Sequence, residues 1–250
     1  MTAPATGLAT AAEPEGFAVV CEGVWLIAGF ARPQRMLSWA PYRPGYQVAT
    51  RVAWLEVRNR DLGPDVDAAA FLAERLRARG LGSAIGLMTS TCLADHCRAT
   101  ARRDGVTARC LVTLGLGNAE RVGSRRPQPA GKPAVGTVNL LCHVDRALTD
   151  AALLEAVSVA VAARTAAILE ASYRPAGATG PATGTGTDCI VIACPAEGAP
   201  DAPPECYAGM HTAVGEAIGA AVLAATGQAA AGWLQRYGPE ARAQATAEIG

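Results

Sequence analysis

Apolar residues arrive along this chain in two rhythms. Over residues 17–20, 24–28, 36–39 and 48–57 they come as short runs separated by Arg, Pro and Gly. Such runs read as strands, and their close succession predicts an antiparallel meander. At 67–79 the rhythm changes. Ala68, Phe71, Leu72 and Leu76 recur at helical spacing, and Gly80 stops them. Residues 83–88 read as a strand, 93–103 as a short helix, and 107–114 and 137–144 as strands. Loop chemistry covers 123–133. Thr149 and Asp150, good N-cap residues, then open the longest helix, to about 171. A Gly/Thr/Pro stretch at 175–186 leads to a strand at 189–193. After a second proline loop at 195–204 comes a helix over 212–225. Strands grouped early, and alternating with helices later, predict an α+β fold: a single domain whose mixed, largely antiparallel β-sheet is covered by helices. The expected domain runs over 16–232, between a disordered 1–15 and a polar tail at 233–250.

Composition narrows the function. Half of the 250 residues are hydrophobic, enough for a sizeable core. The formal net charge is zero, so nothing in the charge balance points to nucleic acid. Residues 151–171 approach membrane-spanning length, but Glu155, Arg164 and Glu170 interrupt them, so they read as a buried helix and no membrane partner is expected. Of the eight cysteines, Cys21, Cys110, Cys142 and Cys189 sit in apolar runs, where a thiol acts as a small hydrophobe. With no secretory pattern in 1–15, the expectation is a reduced, cytoplasmic protein.

Few segments carry chemistry. Gly115-Leu-Gly117-Asn118-Ala-Glu120 follows a strand, but Glu120 stands where a dinucleotide fingerprint needs glycine, and a proline-rich loop follows instead of a helix. Cys92, Asp95, His96 and Cys97 crowd six residues. On a helix Cys92 and His96 would share a face, which raises a zinc site; no second pair of ligands closes it, so no metal is expected. His143 falls on one face of its strand with Leu141 and Asn139 and reads as a half-buried, hydrogen-bonded imidazole. His211 precedes Thr212, a natural N-cap, so it stands at a helix start, where an imidazole can serve as a base. Upstream, Thr183-Gly-Thr185-Gly-Thr187-Asp188 is a glycine–threonine turn that ends in a carboxylate at a strand start.

Ala182-Thr-Gly-Thr-Gly-Thr-Asp188 before an apolar strand, followed by Tyr207-Ala-Gly-x-His211-Thr-x-x-Gly215-Glu216-x-Ile-Gly219, resembles the adenosylcobinamide amidohydrolase family. So do Gly115-Leu-Gly-Asn118-Ala-x-Arg121-x-Gly123, Gly136-Thr-x-Asn139, and Leu148-Thr-Asp150-Ala-Ala-Leu with Thr165-Ala-Ala beyond. The blocks run in family order over roughly 20–226. Arg164 departs from the pattern, which has Lys, and Cys189 departs from a Ser.

The resemblance implies hydrolysis of the amide joining aminopropanol to a propionyl arm of adenosylcobinamide. The products would be adenosylcobyric acid and 1-aminopropan-2-ol, in corrinoid salvage for cobalamin biosynthesis. The corrinoid is then substrate, no cofactor is implied, and homo-oligomerisation stays open. The chain has no Gly-x-Ser-x-Gly elbow or Cys–His pairing, so the expected nucleophile is water, with His211 as base and proton shuttle and Asp188 assisting it. Thr185 and Thr187 are candidates for the oxyanion, and Asn118, Asn139, Thr89 and Glu216 for binding corrin amides. A threonine nucleophile, Thr187 beside Asp188, is the enzymatic alternative. A corrinoid carrier or sensor without catalysis, and a zinc hydrolase on Cys92, His96 and Cys97, are the other readings.

Overall fold

The computed structural model describes residues 16–58, 61–63, 65–124, 136–198 and 202–247, the stretch 239–247 by backbone alone. The predicted disorder at 1–15 and most of the 123–133 loop lie outside these residues. In chain order the elements are β1 (Phe17–Glu22), β2 (Trp25–Ser38), β3 (Gly45–Glu56), α1 (Ala68–Ala78), β4 (Ile85–Thr89), β5 (Cys97–Arg103), β6 (Val106–Leu114), β7 (Ala119–Glu120), β8 (Val138–Val144), α2 (Asp150–Glu170), β9 (Gly184–Thr185), β10 (Cys189–Pro195) and α3 (Ala213–Ala247).

The main sheet runs β4-β3-β2-β10-β8-β6-β5, with β1 also on β2. Only β3–β4 and β8–β10 are parallel; the other pairs of this sheet are antiparallel. The α+β reading with a mixed, largely antiparallel sheet therefore holds. β2 joins two predicted strands into one. Its register slips between Gly29 and Gln34, around the exposed Pro33, which has no N–H for a ladder. The slip lets β2 pair with β1 through its first half and with β10 through its second.

Alternation along the strands builds three apolar layers. Leu26, Phe30, Trp54 and Leu87 from one half of the sheet face Leu111, Leu141 and Val191 from the other. The sheet thus doubles over, and Asn139 Nδ2 on β8 donates to the Met88 carbonyl on β4 across the fold (2.6 Å). The outer face of the first half packs Ile27 and Leu55 against Leu72 and Leu76 of α1. The outer face of the second packs Cys110, Leu140 and Ile192 against Leu153 and Ala156 of α2 and Ile218 and Val222 of α3.

Caps set the helix ends. The Asp67 carboxylate accepts the N–H groups of Ala69 and Ala70 (2.9 and 3.1 Å). Thr149 Oγ1 accepts Ala152 N–H, and Thr212 Oγ1 accepts Gly215 N–H. Two helical expectations need correction. Residues 93–103 form a single 3-10 turn, Leu93–Asp95, and then β5, whose Cys97, Ala99 and Ala101 face the core while Arg98, Thr100 and Arg102 alternate outward. The last helix does not stop at 225 but continues to Ala247. By length and hydropathy α2 and residues 213–238 of α3 could each cross a bilayer; here they pack on each other and on the sheet.

Candidate active site

The glycine–threonine turn closes on itself around one carboxylate. Asp188 Oδ2 accepts Thr185 N–H (3.0 Å) and a hydrogen bond from Arg164 Nη1. Its Oδ1 accepts Val138 N–H (3.0 Å) and the Thr185 hydroxyl. Both side chains of the Arg164–Asp188 ion pair are buried, 11% and 8% exposed. Arg164 Nη1 also donates to the Thr183 carbonyl (3.1 Å), so one nitrogen fastens α2 to the turn. Gly184 permits this approach, because an added Cβ would collide with Arg164 Nη1. Thr187 Oγ1 lies 3.0 Å from the Thr137 hydroxyl, which donates to the Thr187 carbonyl (2.8 Å).

Two asparagines flank the carboxylate. β7 and β9 pair Ala119 with Thr185, which sets Asn118 beside the turn. Asn139 is 2% exposed and registers with Cys189 on one side and Thr113 on the other. Since its amide nitrogen is committed to Met88, its Oδ1 faces the interior without a partner. Asn118 Oδ1 is likewise orphaned, and so is the Arg164 Nε–H donor. Thr89 is buried next to Met88, so it belongs to the same cluster. Trp39 lies at the rim, its Nε1–H donating to the Asp188 carbonyl (2.7 Å) and its ring 46% exposed.

The expected His211–Asp188 pair does not form. Glu216, one turn into α3, pairs with Arg103 at the end of β5, which registers with Val106. Asp188 binds Val138, which registers with Leu114 at the opposite end of β6. Eight residues of strand separate the two ends, about 26 Å. His211 is exposed there, beside the segment whose Ala208 N–H donates to Glu155 (2.7 Å), in the first half of α2. The structure therefore gathers Asp188, Thr185, Thr187, Asn118, Asn139 and Thr89, and leaves His211 and Glu216 at the far end.

Arg164, Trp39, Thr137 and Ser38 join the cluster without having been singled out for it. The long-helix block containing Arg164 was a usable signal; Trp39 and Ser38 had none, because they come from a distant strand. Cys189 completes a buried row across three strands, Thr113–Asn139–Cys189, and its Sγ lies 3.5 Å from the Oγ of Ser38, which registers with Val191 two residues along β10. Burial pushes its thiol up to about 11, against the opposing effect of the Ser38 hydrogen bond. Native protein treated with iodoacetamide at about pH 8 is therefore expected to label the exposed Cys21, Cys92 and Cys206 and to spare Cys110, Cys142, Cys189 and Cys194. Peptide mapping checks this; labelling of Cys189 as fast as Cys206 would overturn the buried, neutral thiol.

Cys92 and His96 do not share a helical face, since the helix is absent. His96 Nδ1 faces the Leu93 carbonyl (2.8 Å), and no three His, Cys, Asp or Glu side chains group for a metal among the described residues. His143 is buried between Phe17 and Phe30 and hydrogen-bonds Gln34 (3.1 Å); burial lowers its pKa to about 4. An open depression of about 400 Å³ lies over the β5–β6 turn, lined by Arg102, Asp104 and Asp145, at the end away from Asp188.

Solved structures give only distant likenesses. A Burkholderia sp. β-aminopeptidase matches with 13% identity and a TM-score of 0.39, and the PH0078 protein of Pyrococcus horikoshii with 11% and 0.41. The L-aminopeptidase D-Ala-esterase/amidase of Ochrobactrum anthropi matches with 12% and 0.36. Each match covers 86% of this chain and 82% of the other. Sequence relatives are nearer. An adenosylcobinamide amidohydrolase of Halobacterium salinarum is 35% identical over 175 residues, 65% of this chain and 66% of that protein, just under two thirds of its length. The model of one family, adenosylcobinamide amidohydrolase, matches residues 7–238, which takes in every element of the Asp188 cluster. The chain belongs to the adenosylcobinamide amidohydrolase family.

Proposed function

We propose that this chain hydrolyses the amide between aminopropanol and a propionyl arm of adenosylcobinamide, at the Asp188 end of the sheet, giving adenosylcobyric acid and 1-aminopropan-2-ol for corrinoid salvage. Family membership supports the substrate class. The observation that carries the site is the convergence of a buried carboxylate, a hydroxyl donating to it and two orphaned carboxamide oxygens. Both oxygens are acceptors without a donor, and N–H groups such as those on a corrinoid's carboxamides are their chemical complement.

Lone-pair counting favours the Thr185 hydroxyl as the nucleophile. A carboxylate has about four acceptor sites, and Asp188 already receives four donors. No site is left for an attacking water, and His211 is too far away to activate one. The one donor that can also attack carbon is the Thr185 hydroxyl. In this reading Thr185 Oγ adds to the amide carbonyl as its proton passes to Asp188. The C–N bond breaks with that proton leaving on the amine, and water then hydrolyses the ester and restores the Thr185 proton. Arg164 Nε–H is the donor of the cluster still open to a developing oxyanion. Trp39 offers an exposed aromatic face to a wide, flat ring at the rim.

The test is incubation with adenosylcobinamide and mass spectrometric identification of both products. Binding without release of aminopropanol would instead make the protein a corrinoid carrier. Thr185→Val is expected to lower turnover by about two orders of magnitude or more, Thr185→Ser to retain most of it, and rapid quench to trap an acyl adduct on Thr185. His211→Ala is expected to turn over like wild type. Loss of turnover in a folded His211→Ala protein would refute this site.

A further inference from the structure

The two helices that cover the second half of the sheet present an uncharged side to solvent. Each is long and apolar enough to cross a bilayer, yet only 44% of the most apolar stretch of either is buried. Between 156 and 169 the one charged residue of α2 is Arg164, which turns inward to Asp188. Between 217 and 235 α3 carries no charge at all. The residues left outside recur at helical spacing: Leu154, Ala162 and Leu169 along α2, and Leu223, Ala224 and Ala231 along α3, all exposed. A solvated helix face ordinarily carries charged or polar side chains instead.

Size and charge say what such a face fits. α2 has 21 residues, hence a length of about 31 Å, and two helices side by side are about 20 Å wide, so the face offers on the order of 600 Å². That is at the upper end of the roughly 300–600 Å² that the largest apolar patch of a monomer reaches. Set against its own copy it would bury about 1,200 Å² in all, where stable interfaces begin. A two-fold contact lays a surface on itself, so any charge meets a like charge; a face without charge is free of that conflict. Direction matters too. α2 runs from Glu155, beside Ala208, to Arg164 at Asp188, and α3 from Glu216, beside Arg103, to Arg236 at Asp95. The two helices are therefore parallel, with like dipole ends side by side, and a second pair running the opposite way offsets them. A bilayer fits less well. Helices that lie in a membrane surface set Trp or Phe on the apolar face and Lys or Arg beside it. Residues 156–169 and 217–231 contain no aromatic residue and no outward Lys or Arg.

We infer that the outer face of α2 and α3 is the contact between two copies of this chain, joined about a two-fold axis that runs across the helices. The inference is independent of the proposed reaction. It also buttresses the site, because α2 carries Arg164, whose guanidinium holds the Asp188 turn.

Sedimentation equilibrium tests it. Wild type is expected to be a dimer with a dissociation constant below about 10 µM. Leu154→Glu and Leu223→Glu, one on each helix, should each raise that constant about a hundredfold or more, since the contact would bury an unpaired carboxylate. Val66→Glu, at an exposed residue just before α1 on the other side of the molecule, should leave it unchanged. Should a variant fail to fold, hydroxyl-radical footprinting of wild type decides: oxidation of Leu154 and Leu223 is expected to rise on dilution through the dissociation constant, and that of Val66 to stay constant. A wild-type monomer at 100 µM overturns the inference. So does a dimer that survives both substitutions, or footprints that do not change on dilution. Flotation of a monomer with phosphatidylcholine–phosphatidylglycerol vesicles, lost in Leu223→Glu, would assign the face to a bilayer instead.

Discussion

Asp188→Ala is expected to destabilise the protein by about 3–5 kcal/mol, the usual consequence of leaving one charge of a buried pair without its partner. Arg164 would be that charge, 11% exposed and with only the Thr183 carbonyl left as acceptor. The N–H groups of Val138 and Thr185 would lose their acceptor as well. For a chain of this size such a loss lowers Tm by roughly 6–20 °C, which thermal unfolding reads directly. Asp188→Ala combined with Arg164→Met removes both charges and is expected to recover much of that stability while turnover stays lost, because Thr185 still lacks a proton acceptor. A melting point for Asp188→Ala within about 2 °C of wild type would mean that the pair is solvated. Arg164→Lys should be mild in the same assay. Arg164 uses Nη1 alone for both of its bonds, and its Nε has no acceptor, so the guanidinium acts here as a point donor. An ammonium can make those two bonds, although Arg and Lys are not exchangeable at a forked contact.

Local signals were legible in the sequence. Asp67, Thr149 and Thr212 each cap the helix they were read to open, because capping is settled within four residues. The turn at 183–188 could be seen for the same reason. Misreadings came where local composition and tertiary pairing pull apart. Ala and Arg favour helix, yet β5 alternates them with period two, and Asp104-Gly105 after it, both at positive φ, turns the chain into β6. The His211–Asp188 pair failed for a topological reason. Asp188 precedes β10 and His211 follows it, and β10 carries the chain about 20 Å along the sheet before the last loop begins. Residues close in sequence are placed at opposite ends by the strand between them. The asparagines, by contrast, come from strands that end at the same edge as the turn, so family blocks at 115–123, 136–139 and 182–188 converge while the 207–219 block does not.

The strand edge that gathers those blocks depends on a contact between two backbones. Gly136 passes so close to the 115–117 turn that an added Cβ would sit 2.6 Å from the Gly115 carbonyl oxygen and 2.8 Å from Gly117 N. Neither atom belongs to a flexible side chain, so Gly136→Ala must push the two segments apart. Overpacking of this kind costs about 1–3 kcal/mol, and the displaced segments are those that hold Asn118 on one side and Thr137, Val138 and Asn139 on the other. Turnover is therefore expected to fall by about tenfold or more even where the protein stays folded, since misplacing a binding group by an ångström has effects of that size. Gly186→Ala is the control. It lies on the same turn as Thr185 and Thr187, its added Cβ would meet nothing within 4 Å, and its φ is not in the left-handed region. Its stability should match wild type within about 0.5 kcal/mol. Urea midpoints and turnover for the two variants separate the explanations. If Gly136→Ala behaves like Gly186→Ala, the site does not depend on the close approach of the two backbones; if it alone loses turnover, the edge that positions Asn118 and Asn139 around Asp188 is set by that backbone contact.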